Sequence, residues 1–260
     1  MSDDDAKRAL RREVSARIAQ INQHARAFRA QRATDYALRS SALVHAKLVL
    51  SYRAMSDEIN ADALTMHLCA RGVRIAFPCV DARQKLVLLE VVGNDPFAAA
   101  AWTTDHFGIR VPREDSSEVP ALVRRVHARD LDALIVPLRA FDLRGARLGR
   151  GKGFYDGLIN SLRPDARAAT LGFAFETQLV SEVPEAAHDA RVAFLATERR
   201  LIHTKRPRQH AGDCQYPATC ADTFALRHRH HFRHHFRRDQ SCHSQASRII
   251  RALLTRHQAV

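Results

Sequence analysis

Cysteine is scarce and does not fall into pairs. The 260 residues hold five (Cys69, Cys79, Cys214, Cys220 and Cys242), an odd number at irregular spacing, so no disulfide framework is implied. A reducing cytoplasm is therefore the expected compartment. Long apolar runs are missing too: none approaches the roughly 20 residues that a membrane-crossing helix needs, and no membrane partner is expected. The opening Met1-Ser2-Asp3-Asp4-Asp5 is acidic, unlike the cationic start of a secretory or transit peptide. Neither a G-x-S-x-G elbow nor an H-E-x-x-H pair occurs, which removes two common hydrolase signatures. There is no internal repeat. Glycine is sparse as well, ten in all, yet four of the ten fall between positions 145 and 153.

What is present describes a globular chain with an appendage. Hydrophobic residues make up 46% and charged residues 27%, enough apolar chain for one large domain or two small ones. The net charge of +13 is unevenly spread. Residues 206–260 hold ten Arg against three Asp, giving +7, with eight of the fifteen histidines and three of the five cysteines. Residues 1–205 carry the remaining +6, from 31 Lys and Arg against 25 Asp and Glu. The chain is expected to divide there, into a domain over 1–205 and a basic, His- and Arg-rich extension over 206–260. The run from Arg227 to Arg238 has no apolar stripe to bury, so the extension is expected to be disordered.

Within the first 205 residues, Leu10, Val14, Ile18 and Ile21 recur at helical spacing and predict a helix over residues 6–27. Further helices are expected over 35–46, 61–71 (ended by Gly72), 121–128 and 154–162. Short apolar runs at 47–52, 73–77, 86–92, 133–137, 168–173 and 192–196 read as strands. Helices alternating with such strands predict a single three-layer α/β domain, with a mostly parallel central sheet flanked by helices. Ligands in these folds bind beyond the carboxyl ends of the strands, which directs attention to the loops after Tyr52, Phe77 and Pro137.

The most informative of these segments is Arg144-Gly-Ala-Arg-Leu-Gly-Arg-Gly-Lys-Gly-Phe-Tyr-Asp156. Gly145, Gly149, Gly151 and Gly153 alternate with Arg144, Arg147, Arg150 and Lys152. Glycine lets backbone N–H groups approach an anion, the cations neutralise it, and a helix starting near Phe154 adds a favourable dipole, so the loop suits a polyphosphate. The plainer alternative is a surface turn with solvated charges. The loop is neither a Walker A sequence, since Gly153 follows Lys152 where Ser or Thr is needed, nor a dinucleotide fingerprint.

Arg147-Leu-Gly-Arg-Gly-Lys-Gly-Phe-Tyr-Asp156 resembles the signature R-L-G-[YR]-G-[GK]-G-Y-Y-D of the 5-formyltetrahydrofolate cyclo-ligase family, also called methenyltetrahydrofolate synthetases. Supporting matches follow in the family's order: Lys7-Arg-Ala-Leu-Arg11, Met55-Ser-Asp-Glu58, Phe77-Pro78, Phe107-Gly-Ile109 with Pro112, Gly172-Phe-Ala-Phe-Glu-Thr-Gln178 and His188-Asp189. The resemblance spans roughly residues 6–200 and leaves out the extension. Phe154 stands where the family more often has Tyr, Gly157 where bacterial members often have Arg, and Arg110 where proline is common.

The resemblance implies an ATP-dependent ring closure of 5-formyltetrahydrofolate, with ATP and a reduced folate as partners and Mg²⁺ as cofactor. It assigns Lys7, Arg11 and the segment Arg147, Leu148, Gly149, Arg150, Gly151, Lys152, Gly153 and Tyr155 to ATP, with Arg150 and Lys152 as the catalytic pair. Met55, Glu58, Phe107 and Phe154, with Tyr155, would enclose the folate, Glu58 accepting N–H bonds from the pterin. Asp156 and Asp189 are the candidate Mg²⁺ ligands. Each has a plainer alternative: a solvated basic helix end for Lys7 and Arg11, a first-turn helix acid for Asp156, a loop residue for Asp189, and ordinary core for Met55 and Phe107.

The extension invites two further readings. Cys214, Cys220 and Cys242 lack zinc-ligand spacing, so no native metal site is expected, although a His-rich run binds divalent metals non-specifically. Its Arg-His clusters with Phe232 and Phe236 allow non-specific RNA binding, and no specific nucleic acid is expected. A catalytically silent domain that binds RNA through this tail is the rival to the enzyme reading.

Overall fold

A computed structural model describes residues 3–81, 83, 85–104, 110–113 and 122–204. The expectations for the extension, for Phe107, and for Cys214, Cys220 and Cys242 lie outside these residues. Among the described residues, no helix is long and apolar enough to cross a membrane.

The chain opens with helices α1 (Asp3–Ala19), α2 (Gln23–Ala37) and α3 (Ser41–Val44), followed by strand β1 (Leu48–Leu50) and α4 (Asp62–Ala70). Strands β2 (Arg74–Val80) and β3 (Leu86–Val91) form a hairpin, and β4 (Trp102–Thr104) pairs with β5 (Arg110–Pro112). Then come β6 (Val123–Val126), β7 (Ala133–Pro137), and the small pair β8 (Ala140–Phe141) and β9 (Arg147–Leu148). Helices α5 (Phe154–Ser161) and α6 (Pro164–Ala168) precede β10 (Thr170–Phe173), β11 (Phe194–Ala196) and β12 (Leu201–His203).

Eight strands form one sheet in the order β12-β11-β10-β7-β1-β2-β3-β6. The five central strands, β11 to β2, run parallel. The outer strands β12, β3 and β6 are antiparallel to their neighbours. Side chains alternate across the sheet as the strand period of two requires: Val49 and Ile135 enter one core, while Leu48, Leu50, Leu134 and Val136 enter the other. The first core is closed by Val14 and Ile18 of α1, Ala33 of α2, and Leu64 and Leu68 of α4. The second is closed by Leu158 and Ile159 of α5 and Ala166 of α6. Burial on both faces explains why the central strands read as unbroken apolar runs.

Several local expectations change. The helix expected over 6–27 is broken, because the Asn22 side chain accepts a bond from Ala25 N at 2.8 Å and starts α2 there. The helix expected over 35–46 becomes the end of α2 and the short α3, which Ser40 caps. Over its described residues, 122–128, the segment expected as a helix is not an α-helix. Its Val123-Arg-Arg-Val126 pairs antiparallel with β3, setting Arg124 directly opposite Glu90. Local propensity yields here to a cross-strand charge pair.

Strand order places the site. β1 connects outward to β2 on one side, while β7 connects to β10 on the other, so the topological switch lies between β1 and β7. The segments leaving these strands diverge and open a crevice at their carboxyl ends. One carries Tyr52 to Glu58 and the other Leu138 to Asp156.

Glu90 ties the antiparallel edge together. Its buried carboxylate takes paired bonds from Arg74 (2.9 and 2.6 Å) and from Arg124 (2.8 and 2.9 Å). Burial alone would raise its pKa, but the bonds and charges of Arg74 and Arg124 outweigh it and hold the carboxyl below its ordinary 4.5. A depressed folded value stabilises the protein above the unfolded pKa and is lost as pH falls through the folded one. Glu90→Gln should therefore lower stability by about 2 kcal/mol at pH 7, and thermal melts should converge with wild type as the buffer is acidified below pH ~4. An equal deficit at all pH values would remove the charge from this explanation.

Candidate active site

Three segments converge on the glycine-rich loop that joins β9 to α5. The first is α1. Arg11 Nε donates to Gly149 O at 2.9 Å, and Lys7 Nζ lies 2.5 Å from Asp189 Oδ2. Lys7 and Arg11 stand four residues apart on one helix face, so a single helix brings both cations to the loop and its neighbour. The second is the segment after β1, whose Asp57 and Glu58 both pair with Arg150. The third is the turn before β11, where Asp189 Oδ2 accepts from Ala186 N at 2.7 Å and Ala190 N donates to Asp156 Oδ1 at 3.0 Å.

The loop's backbone depends on glycine at two points. Gly151 has φ 95° and Gly153 has φ 70°, in the left-handed region where a Cβ is strained. Gly153 is the residue from which α5 departs, so the amide groups of its first turn face the loop.

The four cations of the loop have different fates. Arg144 pairs with Asp142 at 2.8 Å. Arg147 is turned inward: its side chain is 2% exposed and donates to Asp156 Oδ1 at 2.9 Å. Burial disfavours its charge and the Asp156 carboxylate opposes that effect, while Nε has no hydrogen-bond partner among the described residues. The Arg147 side chain therefore faces Asp156 at the start of α5 rather than solvent. It holds the loop down onto α5 from below. Leu148 is likewise buried, its carbonyl accepting from Arg139 N at 2.7 Å, so only its backbone belongs to the loop surface. Arg150 and Lys152 remain outward, with Arg150 39% exposed and Lys152 exposed.

Arg150 joins the loop to a cavity of about 180 Å³ at the crevice. Tyr52, Met55, Glu58, Phe77, Trp102, Arg110 and Tyr155 line it with Arg150. Phe77 and Trp102 pack edge to face with centroids 4.8 Å apart, and Arg53 stacks over Phe97 at 4.7 Å behind them. Glu58, with its side chain 8% exposed, accepts from Arg150 Nε at 3.0 Å and from Met55 N at 2.9 Å. Tyr155 is raised above the ordinary 10 by burial first and by the Glu58 charge second, so its hydroxyl stays protonated. The arrangement offers aromatic walls, a carboxylate and a guanidinium: a site for a flat heterocycle rich in N–H groups.

The structure therefore brings Met55, Glu58, Arg150 and Tyr155 together, and Lys7, Arg11, Asp156 and Asp189 beside them. Phe154 departs from expectation. It lines a separate groove of about 490 Å³ with Lys152, Leu88, Val126 and Leu158, whereas Tyr155 lines the cavity with Glu58. Sequence reasoning missed Asp57, Arg139, Tyr52 and Trp102. Trp102 is the single tryptophan of the chain, and Asp57 adjoins Glu58 in the quoted motif, so both carried a usable signal.

Uncommitted oxygens decide whether the carboxylates suit a metal. Asp156 Oδ2 carries no bond among the described residues, and Asp189 Oδ1 meets only His188 Nε2, at 3.8 Å. No group of three His, Cys, Asp or Glu gathers among the described residues. Two carboxylates, each with a spare oxygen beside a phosphate-suited loop, fit Mg²⁺, which keeps water and phosphate as its other ligands.

A mixed sheet with a switch-point crevice, a glycine-spaced cationic loop and a carboxylate-bearing aromatic cavity are features of an α/β enzyme class. The chain belongs to the 5-formyltetrahydrofolate cyclo-ligase family, whose model matches residues 3–198. It is 23% identical over 192 residues to the 5-formyltetrahydrofolate cyclo-ligase of Mus musculus, covering 73% of this chain and 92% of the mouse protein. It is 28% identical over 175 residues to the protein of the same name from Haemophilus influenzae, covering 66% and 86%. The fold matches the NMR structure of Aquifex aeolicus 5,10-methenyltetrahydrofolate synthetase with a TM-score of 0.63 at 23% identity, over 83% of this chain and 98% of that one.

The contrast between the two arginines is testable. Arg147→Ala removes one partner of a buried pair and should cost about 3 kcal/mol of stability. Arg150→Ala, at an exposed position, should leave the melting temperature within a degree or two of wild type. Equal losses in thermal melts would contradict the division.

Proposed function

We propose that the chain catalyses ATP-dependent cyclisation of 5-formyltetrahydrofolate to 5,10-methenyltetrahydrofolate, releasing ADP and phosphate. The observation that carries this reading is the position of Arg150. One guanidinium, set between two glycines of the phosphate-suited loop, also forms the wall of the cavity that holds Glu58. A group so placed touches both substrates of a phosphoryl transfer.

In this reading Lys7, Arg11 and Lys152, with the amides of the glycine loop, hold the triphosphate. Glu58 accepts N–H bonds from the pterin, and Phe77, Trp102, Met55 and Tyr155 exclude water around it. The formyl oxygen attacks the γ-phosphorus, the bond to the bridging oxygen breaks, and ADP departs. Arg150 lies where the transferring phosphoryl group passes, and its charge is better matched to the transition state than to either reactant. N10 then attacks the formyl carbon, loses its proton to solvent, and phosphate leaves with the former formyl oxygen. Phosphorylation is needed because an amide-type oxygen is a poor leaving group and a phosphate is a good one. Mg²⁺ held by Asp156 and Asp189 would supply further neutralisation of phosphate charge. The main contribution of the protein is alignment of two bound reactants.

Purified protein given ATP, Mg²⁺ and 5-formyltetrahydrofolate should generate the near-ultraviolet absorbance of the methenyl product. Arg150→Ala should lower kcat by at least about a hundredfold, and removal of residues 207–260 should leave turnover intact, since the family match stops at residue 198. Well-folded protein that produces no absorbance defeats the enzyme reading. Turnover that vanishes with the extension, together with a salt-sensitive RNA interaction, would favour the rival.

A further inference from the structure

The relay that ends on Arg150 begins far from it in sequence. Ser15 of α1 accepts a bond from Arg139 Nη2 at 2.6 Å. Arg139, in the segment leaving β7, is nearly buried at 11% exposure, and its Nη1 pairs with Asp57 Oδ2. The second oxygen of Asp57 takes Arg150 Nη2, while Glu58 takes Arg150 Nε. Consecutive acids thus hold one edge of the Arg150 guanidinium, Nε and Nη2. The other edge, Nη1, carries no bond among the described residues.

Arg150 needs such a hold. It is 39% exposed, its side chain is long, and it is flanked by Gly149 and Gly151, so neither its rotamer nor its backbone is fixed locally. Glu58 cannot both orient Arg150 and turn freely toward a heterocycle, whereas Asp57 is not among the residues that line the cavity. Arg139 cannot swing aside, because Ser15 and its burial fix it to α1.

We propose that Asp57, backed by Arg139, is the positioning residue that aims the free edge of Arg150 at the phosphoryl group. The assignment rests on the functional reading given above. Asp57 stays ionised, as this role requires. Partial burial pushes its carboxyl up, but the bond from Arg139 and the charges of Arg150 and Arg139 together hold it below the usual carboxylate range. It touches neither reactant. It acts by removing the freedom that Arg150 would otherwise lose only in the transition state.

The test is a double-mutant cycle on the full chain, followed by steady-state kinetics with ATP and 5-formyltetrahydrofolate. Asp57→Asn should lower kcat roughly tenfold or more, with the KM for ATP within about threefold of wild type. In the Arg150→Ala background the same change should cost no further kcat, because the group it positions is gone. Arg139→Gln interrupts the relay from its other side and should repeat both results, which covers a failure of Asp57→Asn to fold. A wild-type kcat in Asp57→Asn, or an undiminished further loss in the Arg150→Ala background, overturns the proposal. A crystal structure of Asp57→Asn supplies an arm independent of turnover. Arg150 should leave Glu58 and the cavity wall; a guanidinium unchanged in place overturns the positioning role even if the enzyme makes no product at all.

Discussion

Four cations within nine residues repel one another, and carboxylates compensate three of them in the loop Arg144–Lys152. Asp142 answers Arg144, Asp156 answers Arg147, and Asp57 with Glu58 answers Arg150. Lys7 and Asp189 form a further pair at the loop's edge. The strongest constraint is Arg147, whose buried charge would be costly without Asp156. That pair fixes the start of α5 against β9. The partners come from the segment after β1, the turn between β8 and β9, the first turn of α5 and, for Lys7, the turn before β11.

The same compensation sorts the cations into two jobs. Arg147 is turned inward onto Asp156, whereas Arg150, though paired with Asp57 and Glu58, and Lys152 stay exposed. A glycine between each pair of charges makes this division possible, because alternate side chains leave the loop on different sides while the backbone amides stay open. Tyr155 and Phe154 extend the principle into the helix, one entering the carboxylate cavity and the other the larger groove across α5.

Much of this could be read in the sequence, and the limits have physical causes. The central parallel strands were legible because burial on both faces makes them continuous apolar runs, and α4 and α5 because glycine marks one of their ends. The strand at 123–126 was not legible, since Val-Arg-Arg-Val shows no alternation and Arg124 has its meaning only opposite Glu90, 34 residues away in the chain. The break at Asn22 hid inside a pattern that carries apolar residues through it. At the site, the glycine-spaced cations announced themselves by type and spacing, and Glu58 only through the family resemblance. Arg147 read like its neighbours, because sequence does not show which side chain of a loop turns inward. Arg139 and Asp57 were silent for a related reason: their importance lies in a contact between segments more than 80 residues apart.

The most direct measurement is a crystal structure of the full chain with a non-hydrolysable ATP analogue and 5-formyltetrahydrofolate. The expected result is a triphosphate against Lys7, Arg11, Lys152 and the amides of Gly149 to Gly153, with the terminal phosphoryl group between Arg150 and the formyl oxygen and the pterin on Glu58. A triphosphate lodged away from this loop, or a folate outside the Glu58 cavity, would contradict it.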